Sequence, residues 1–477
     1  MRIALIHYHL RRGGVTSVIL NQARALIEGG DDALIITGVL NPDAPDLNQV
    51  LVEELRYDRE QPLPPPEGQE QWLKDRGVVL AAAITRAMQA HWGREADIIH
   101  VHNPLLRKNT ALLPALALLQ ERYGGLLLQN HDLAEDFRPD VYVGKEEYPA
   151  NCHYAVINSR DYSFLHRSGL KTEGLHLLPN EVHPIKATPG LERKRYLYPV
   201  RGIQRKNLGE ALLLSLFIPK GKTVAITLPP TMEKDFQIYN AWVNFARELG
   251  LPVEFNAGQD SSLEDLYGSA EGVISCSVKE GFGFSFLEPW TAGRAVLGRR
   301  IDYVCKDFES SGVRFNSLYS ALNIPMVYIS PSILREKMEY AMSSVYKSFG
   351  IVPPRHTINM LGNDLLSRDL VDFSRLDEKT QEGIIRVLDA NKSVFRDIAD
   401  VNPFLGELES WRPDEDLIEA NRLHILDSYG RQTILELLRE TYRSVLDTQV
   451  THKISKSILL ELYLDPLRLS LVGVGHD

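Results

Sequence analysis

Cysteine is scarce in this sequence. Three residues, Cys152, Cys276 and Cys305, make an odd count without metal-ligand spacing, which excludes a disulfide framework or a zinc module and points to reduced thiols in a cytoplasmic setting. A basic excess is also missing. There are 53 Lys and Arg against 63 Asp and Glu, for a net charge of -10 and a pI near 5.8. A chain that grips a phosphate backbone needs a basic face, so nucleic acid is not expected as a partner. No apolar run approaches the ~20 residues that span a bilayer, and the opening MRIALIHYH reads as a strand rather than a signal peptide. Peripheral membrane contact stays open, because surface-binding helices hide in ordinary compositions. No G-x-G-x-x-G follows the first strand, which argues against an oxidoreductase.

What is present is an α/β grammar. With 477 residues, 44% of them hydrophobic and 24% charged, the chain can bury two cores. In the first half, strand-like runs (Arg2 to His7, Ala33 to Ile36, Asp97 to His102, Leu126 to Gln129, Ala155 to Asn158) alternate with helical spacing, as at Val15 to Ile27. The second half repeats the pattern with strands at Tyr196 to Val200, Val224 to Leu228, Val253 to Asn256 and Val273 to Cys276, and helices at Asn207 to Leu216 and Lys234 to Glu248. Continuous apolar strands between helices predict parallel sheets covered on both faces, in two Rossmann-like halves joined near Pro184 to Pro189. The expected domains are 1–185, 190–410 with an insertion after about 305, and 411–477 as C-terminal helices and tail. Asp58 to Gly68 is a proline-rich loop. Further helices are expected at Ser332 to Ser348, Thr380 to Asn391 and Pro413 to Asp447, Gly350 to Asp372 is not assigned, and Ile454 to Leu471 is read as a docking helix or a tail.

One stretch carries most of the chemistry. Glu280-Gly281-Phe282-Gly283-Phe284-Ser285-Phe286-Leu287-Glu288 follows a strand and opens a helical segment ending at Gly293. Its glycines let backbone N–H groups approach a ligand, a helix N-terminus favours a diphosphate, and the two carboxylates accept hydrogen bonds from hydroxyls. The segment resembles the E-x7-E signature of the retaining, family-four glycosyltransferases of GT-B fold, two Rossmann-like domains facing each other across a cleft, here with an extended helical C-terminal region.

The resemblance implies that Glu280 contacts the donor sugar, that Glu288 holds the ribose, and that backbone near Gly281, Phe282, Gly283 and Phe284 lines sugar and diphosphate. Pro199 to Leu208 resembles the family's basic pair for the diphosphate: Arg201 and Lys206 are the candidates, Arg205 a rival for either, and Val200 stands where the family has glycine. Gly13 and Gly14 match the loop that closes over the donor. His131 in Leu128 to Asp132 matches a histidine near the reacting sugar. His100 and His102 match a D-x-x-H-x-H strand, read mainly as architecture. Val156 to Ser159 and Leu178 to Val182 support the register, with Glu181 in place of a glycine.

The function implied is a hexosyltransferase. It moves a sugar from a UDP- or GDP-sugar to a hydroxyl of a small acceptor with retention of configuration. Arg11, Arg12, Arg107 and Lys108 are the candidate acceptor contacts and suggest an anionic acceptor, such as a glycerate-type solute, a polyol phosphate or a glycan. No metal ligands are assigned and no cofactor is expected, with magnesium activation left open. A GT-B epimerase or phosphorylase, or a nucleotide-sugar-binding protein without turnover, are the alternatives. The oligomeric state is not read from the sequence.

Overall fold

In the computed structural model the described residues are 1–62, 68–123, 125–144, 147–353, 357, 360 and 367–474. Part of the proline-rich loop (63–67) and much of the unassigned stretch (354–356, 358–359 and 361–366) lie outside them. The chain divides into two units: residues 1–181 with 429–464, and residues 182–428 with 465–477.

The first unit is built on seven parallel strands: β1 (Arg2–His7), β2 (Asp32–Thr37), β3 (Gln49–Leu51), β4 (Ile98–His102), β5 (Leu126–Asn130), β6 (His153–Val156) and β7 (Leu175–Leu177), in the order β3-β2-β1-β4-β5-β6-β7. Alternate residues of each strand face opposite layers, and both layers are apolar. Ala4, Ile6, Leu34 and Val101 pack with Leu80, Ile84 and Met88 of helix Gln69–Trp92 and with Leu116 of helix Leu112–Arg122. Ile3, Leu5, Ile35 and Leu127 face the other way, onto Ile19 and Leu26 of helix Gly14–Glu28. That helix alone does not cover its side of the sheet. Ile434, Leu438, Tyr442 and Val445 of helix Arg431–Asp447 complete the layer, which is the packing reason for the chain's late return to this unit. The helical stretch expected at Pro413 to Asp447 is two helices, Glu415–Tyr429 and Arg431–Asp447, broken at Gly430. Beyond it, Leu459 and Tyr463 of helix Lys456–Tyr463 join the first layer, so this part of the chain docks.

The second unit holds six parallel strands: β8 (Arg195–Arg201), β9 (Thr223–Leu228), β10 (Val253–Phe255), β11 (Ala270–Ser275), β12 (Val296–Arg299) and β13 (Leu318–Tyr319), ordered β10-β9-β8-β11-β12-β13. A separate antiparallel pair, β14 (Asn323–Pro325) and β15 (Leu370–Asp372), accompanies them. Both large sheets reverse their strand order once, between β1 and β4 and between β8 and β11. In such sheets ligands bind outside the carboxyl ends of the strands at that reversal. Pro199 lies inside β8 and cannot donate to the ladder; the β8–β9 register shifts between Tyr198 and Arg201. Among the described residues no helix is long and apolar enough to cross a membrane.

Histidines populate the first sheet. Burial lowers His7 and His100 to about 3, and His131 and His176 to about 4. Each is neutral when folded and takes up a proton on unfolding once the pH drops below about 6.5, so the stability they contribute is complete above that value and is lost towards pH 3–4. Thermal melting from pH 8 to 5 should show a falling Tm below about 6.5, with a smaller fall in His176→Gln; an identical profile in the variant contradicts this origin.

Candidate active site

The loops after β8 and β11 meet at the reversal point of the second sheet. The turn Gln204–Lys206 lies against Val278 to Glu280: the Val278 N–H donates to the Arg205 carbonyl at 3.0 Å, and Arg205 Nη1 donates to the Lys279 carbonyl at 3.2 Å. Lys206 Nζ donates to Glu280 Oε1, and Arg205 Nη1 stands 3.6 Å from Glu280 Oε2. The Lys206 and Glu280 side chains are only 12% and 9% exposed, so the pair is sheltered from water. Burial alone pushes the Glu280 carboxyl up, but Lys206 and Arg205 beside it leave it below the usual range and ionised.

Two tyrosines hold this arrangement. Tyr198 OH donates to the Lys206 carbonyl at 2.6 Å. Tyr303 OH accepts from the Glu280 N–H at 3.1 Å and donates to the Glu280 carbonyl. Arg201, in contrast, turns away and donates to the Pro229 carbonyl at 3.1 Å. Arg205, the rival, therefore stands beside Glu280, and Arg201 does not. The close backbone approach expected of a glycine at 200 falls to Gly202, where a β carbon would come within 2.4 Å of the Tyr239 ring.

Gly283 has φ +96, and a β carbon there would stand 2.5 Å from Val304; only glycine fits. Phe282 packs edge-on to Phe284 and Phe308, with centroids at 5.0 and 5.5 Å. The helix expected after Gly283 is a 3-10 turn, Phe284–Phe286, followed by the four-residue helix Glu288–Thr291. So short an element builds little macrodipole, which corrects the expectation that a helix tip holds an anion here. The positive charge comes from side chains instead.

Glu288 differs from Glu280. Among the described residues its carboxylate has no hydrogen-bond or ion-pair partner, and burial raises it to about 7. The nearby Ser285 Oγ and Tyr267 OH are buried without a partner among the described residues. These groups have hydrogen-bonding capacity that the protein leaves unused.

The first unit presents a second group of candidates at the ends of β1, β4 and β5. His131 is buried, its Nε2 lies 3.0 Å from His102 Nδ1, and Asn103 Oδ1 accepts from its backbone N–H at 2.7 Å. Burial keeps it neutral at pH 7, which favours a hydrogen-bonding rather than a cationic role. His100 Nδ1 meets Tyr442 OH at 2.9 Å inside the unit, as an architectural residue does. Gly13 is extended (φ 173) and a β carbon on Gly14 would meet nothing within 4 Å, so neither backbone strain nor packing within the protein demands glycine there. Glu181, the departure from the expected glycine, binds Arg431 at 2.9 Å.

Of the four expected acceptor contacts, Arg11 is paired with Glu60 at 2.8 Å. Arg12 and Arg107 are exposed. Lys108 lies 5.6 Å from the Tyr57 ring centroid, where Arg59 approaches the same ring at 5.4 Å. Burial lowers the Lys108 pKa, and Arg138 and Arg59 lower it further. His9 Nε2 meets Tyr57 OH at 2.9 Å. Tyr57, Arg59, His9 and Arg138 were not singled out in the sequence. They come from three separate loops, and only His9 carries a signal there, its position just after β1.

No family profile matches the chain. Mannosylglucosyl-3-phosphoglycerate synthase of Petrotoga mobilis is 25% identical over 440 residues, covering 79% of this chain and 79% of that protein. Among solved structures, a glycosyltransferase from Rickettsia africae aligns over 94% of this chain and 99% of its own, with TM-score 0.53 and 12% identity. Sucrose-phosphate synthase of Thermosynechococcus elongatus covers 93% and 98%, with TM-score 0.52 and 15% identity. HepE of Anabaena, solved with UDP and glucose, covers 93% and 100%, with TM-score 0.54 and 13% identity. The fold is that of the GT-B glycosyltransferases.

The buried pair carries a stability prediction. Lys206→Ala strips Glu280 of its nearest counter-charge and should cost about 3 kcal/mol in urea unfolding, the order expected for a broken buried pair. Adding Glu280→Gln should recover part of that loss; a double variant less stable than Lys206→Ala would contradict the pairing.

Proposed function

We propose that this glycosyltransferase moves a hexosyl group from a UDP- or GDP-sugar to a hydroxyl of a small anionic acceptor of the phosphoglycerate kind, with retention of configuration. The observation that carries the reading is the cluster of Lys206, Arg205 and Glu280 at the reversal point of the second sheet, with the unpartnered Glu288 eight residues further on. Lys206 and Arg205 neutralise the donor diphosphate, Glu280 accepts from sugar hydroxyls, and Glu288 accepts from the ribose. The Gly13-Gly14 loop leaves room for close approach, and the backbone of Gly281 to Phe284 lines the sugar and diphosphate.

In the reaction the bond from the anomeric carbon to the diphosphate oxygen breaks, and negative charge grows on the leaving group. Fixed cations in a dry site stabilise that charge most in the transition state. The acceptor oxygen forms its bond on the same face, and its proton passes to the departing phosphate oxygen. The neutral imidazole of His131 hydrogen-bonds the sugar as positive charge develops at the anomeric carbon. No protein nucleophile is required in this scheme. Turnover is expected to survive EDTA, with magnesium at most raising the rate.

The acceptor reading rests on the first unit and on the relative that is named for 3-phosphoglycerate. Lys108 stands among Arg59 and Arg138, which lower its pKa beyond the effect of burial, with Asp140 and Asp132 opposing them. Like charges gathered this way are suited to a carboxylate or phosphate.

Two measurements follow. Ionised Glu288 is the stronger acceptor for ribose hydroxyls, so calorimetric affinity for a UDP- or GDP-sugar should rise as pH rises through about 7, and Glu288→Gln should flatten the dependence; a wild-type profile that is already flat rejects the ribose role. Lys108→Ala should raise the acceptor KM for 3-phosphoglycerate by about tenfold, the order of one charge-assisted contact, with the donor KM unchanged. Better turnover with neutral polyols than with anionic acceptors would overturn the acceptor assignment.

A further inference from the structure

The stretch from Asp302 to Glu419 has no role assigned by any motif, yet one of its helices, Glu378–Ala390, reaches the cationic turn from both sides. Gln204 and Asn207 bracket Arg205 and Lys206. Gln204 Nε2 donates to Glu378 Oε1 at 3.0 Å. Gln381 Nε2 donates to Asn207 Oδ1 at 3.0 Å and to the Phe373 carbonyl at 3.0 Å. Asn207 itself sits in the left-handed region, at φ 49 and ψ 57, a conformation that asparagine tolerates best among residues with a side chain but that still needs outside support.

The rest of the Asn207 amide is also spoken for. Its Nδ2 donates to Glu210 Oε2 at 2.7 Å, and Glu210 accepts from Arg299 at 2.6 Å and from Tyr319 OH at 2.6 Å. Arg299 continues to Asp372 at 2.7 Å. The turn that carries the two cations is thus tied at its end to a buried ionic network spanning β12, β13 and β15. Gln381 is fully buried, and its Oε1 has no hydrogen-bond partner among the described residues. A β carbon on Gly209 would come 2.2 Å from that oxygen, so the amide is closely confined. An apolar side chain would fill the same space without an unpaired oxygen; what the amide adds is the direction of its N–H bonds. Val472, near the end of the chain, lines the small cavity beside the turn together with Gly202, Gln204 and Glu378.

We infer that Glu378 and Gln381 are positioning residues for the donor diphosphate: they hold the Gln204 to Asn207 turn so that Arg205 and Lys206 meet the leaving group. This rests on the reading of Arg205 and Lys206 given above. A residue that only supports folding would lower stability; a positioning residue lowers kcat and loses its effect when the group it acts through is gone.

The test is a double-mutant cycle between Gln381→Leu and Arg205→Ala, with Glu378→Ala as a second, half-exposed variant in case Gln381→Leu does not fold. Release of nucleoside diphosphate is followed with 3-phosphoglycerate as acceptor and with UDP-glucose or GDP-mannose, whichever the wild type turns over. Gln381→Leu is expected to stay folded at the assay temperature, melting lower because the Asn207 and Phe373 acceptors lose their donor, while losing about 10- to 100-fold in kcat, the range for a misplaced catalytic group; Glu378→Ala should melt near the wild type and lose kcat in the same direction. Combined with Arg205→Ala, each should add less than its own loss in the wild type, because only the part that acts through Lys206 remains. Glu378→Gln, which can still accept from Gln204, should restore turnover. An impaired Arg205→Ala beside folded, fully active Gln381→Leu and Glu378→Ala overturns the positioning role alone, as do losses that simply multiply. Full turnover in Arg205→Ala overturns the donor reading, and this inference with it.

Discussion

Everything in the second unit's site depends on one buried ion pair, Lys206 with Glu280. Each partner comes from a different loop, and neither charge is tolerated in that sheltered position without the other. The pair therefore fixes how the loop after β8 lies against the loop after β11. Arg205 is drawn to the same carboxylate, and the two tyrosine hydroxyls hold the backbone on either side. A buried pair is a weak source of net stability, because desolvation offsets most of the attraction. Its value here is geometric: it leaves two cations and a carboxylate side by side at the end of a parallel sheet.

The fold places that pair at the carboxyl end of the second sheet, at its strand-order reversal. Parallel strands with both faces covered leave their carboxyl ends as the open edge, and the strand-order reversals between β1 and β4 and between β8 and β11 part the loops there. Each unit carries its own chemistry at its reversal. The first gathers neutral histidines and a set of cations around Tyr57; the second gathers the Lys206 cluster and the lone Glu288. The contrast between the two glutamates has a simple cause. Glu280 has counter-charges beside it and stays ionised, whereas Glu288 is half-buried with none among the described residues, and desolvation raises it to about 7.

Much of this was readable in the residues. The central strands of both sheets were found because they are continuous apolar runs, as at Arg2–His7 and Thr223–Leu228. Glu280, Gly283 and Glu288 stood out through spacing and through a glycine that the structure shows to be sterically required. Other features were not local enough to read. The choice of Arg205 over Arg201 beside Glu280 is set by the Arg201 bond to the Pro229 carbonyl and the Arg205 contacts to Lys279 and Glu280, which a one-dimensional pattern of basic residues does not contain. A short 3-10 turn and a four-residue helix stand where a helical segment ending at Gly293 was expected. The return of helix Arg431–Asp447 to the first unit is set by which sheet face remained uncovered, a property of the assembled layer. Tyr57 and Arg59 on one loop and Arg138 on another become neighbours only when the two loops fold together, and the Gln381 to Asn207 bond joins residues 174 positions apart.

A crystal structure of the protein with an intact UDP- or GDP-sugar bound tests the central claim most directly. The account predicts diphosphate oxygens within hydrogen-bonding distance of Lys206 Nζ and the Arg205 guanidinium, sugar hydroxyls on the Glu280 carboxylate and ribose hydroxyls on Glu288. A nucleotide sugar seated elsewhere, with the Lys206 and Glu280 pair untouched by it, would contradict the account.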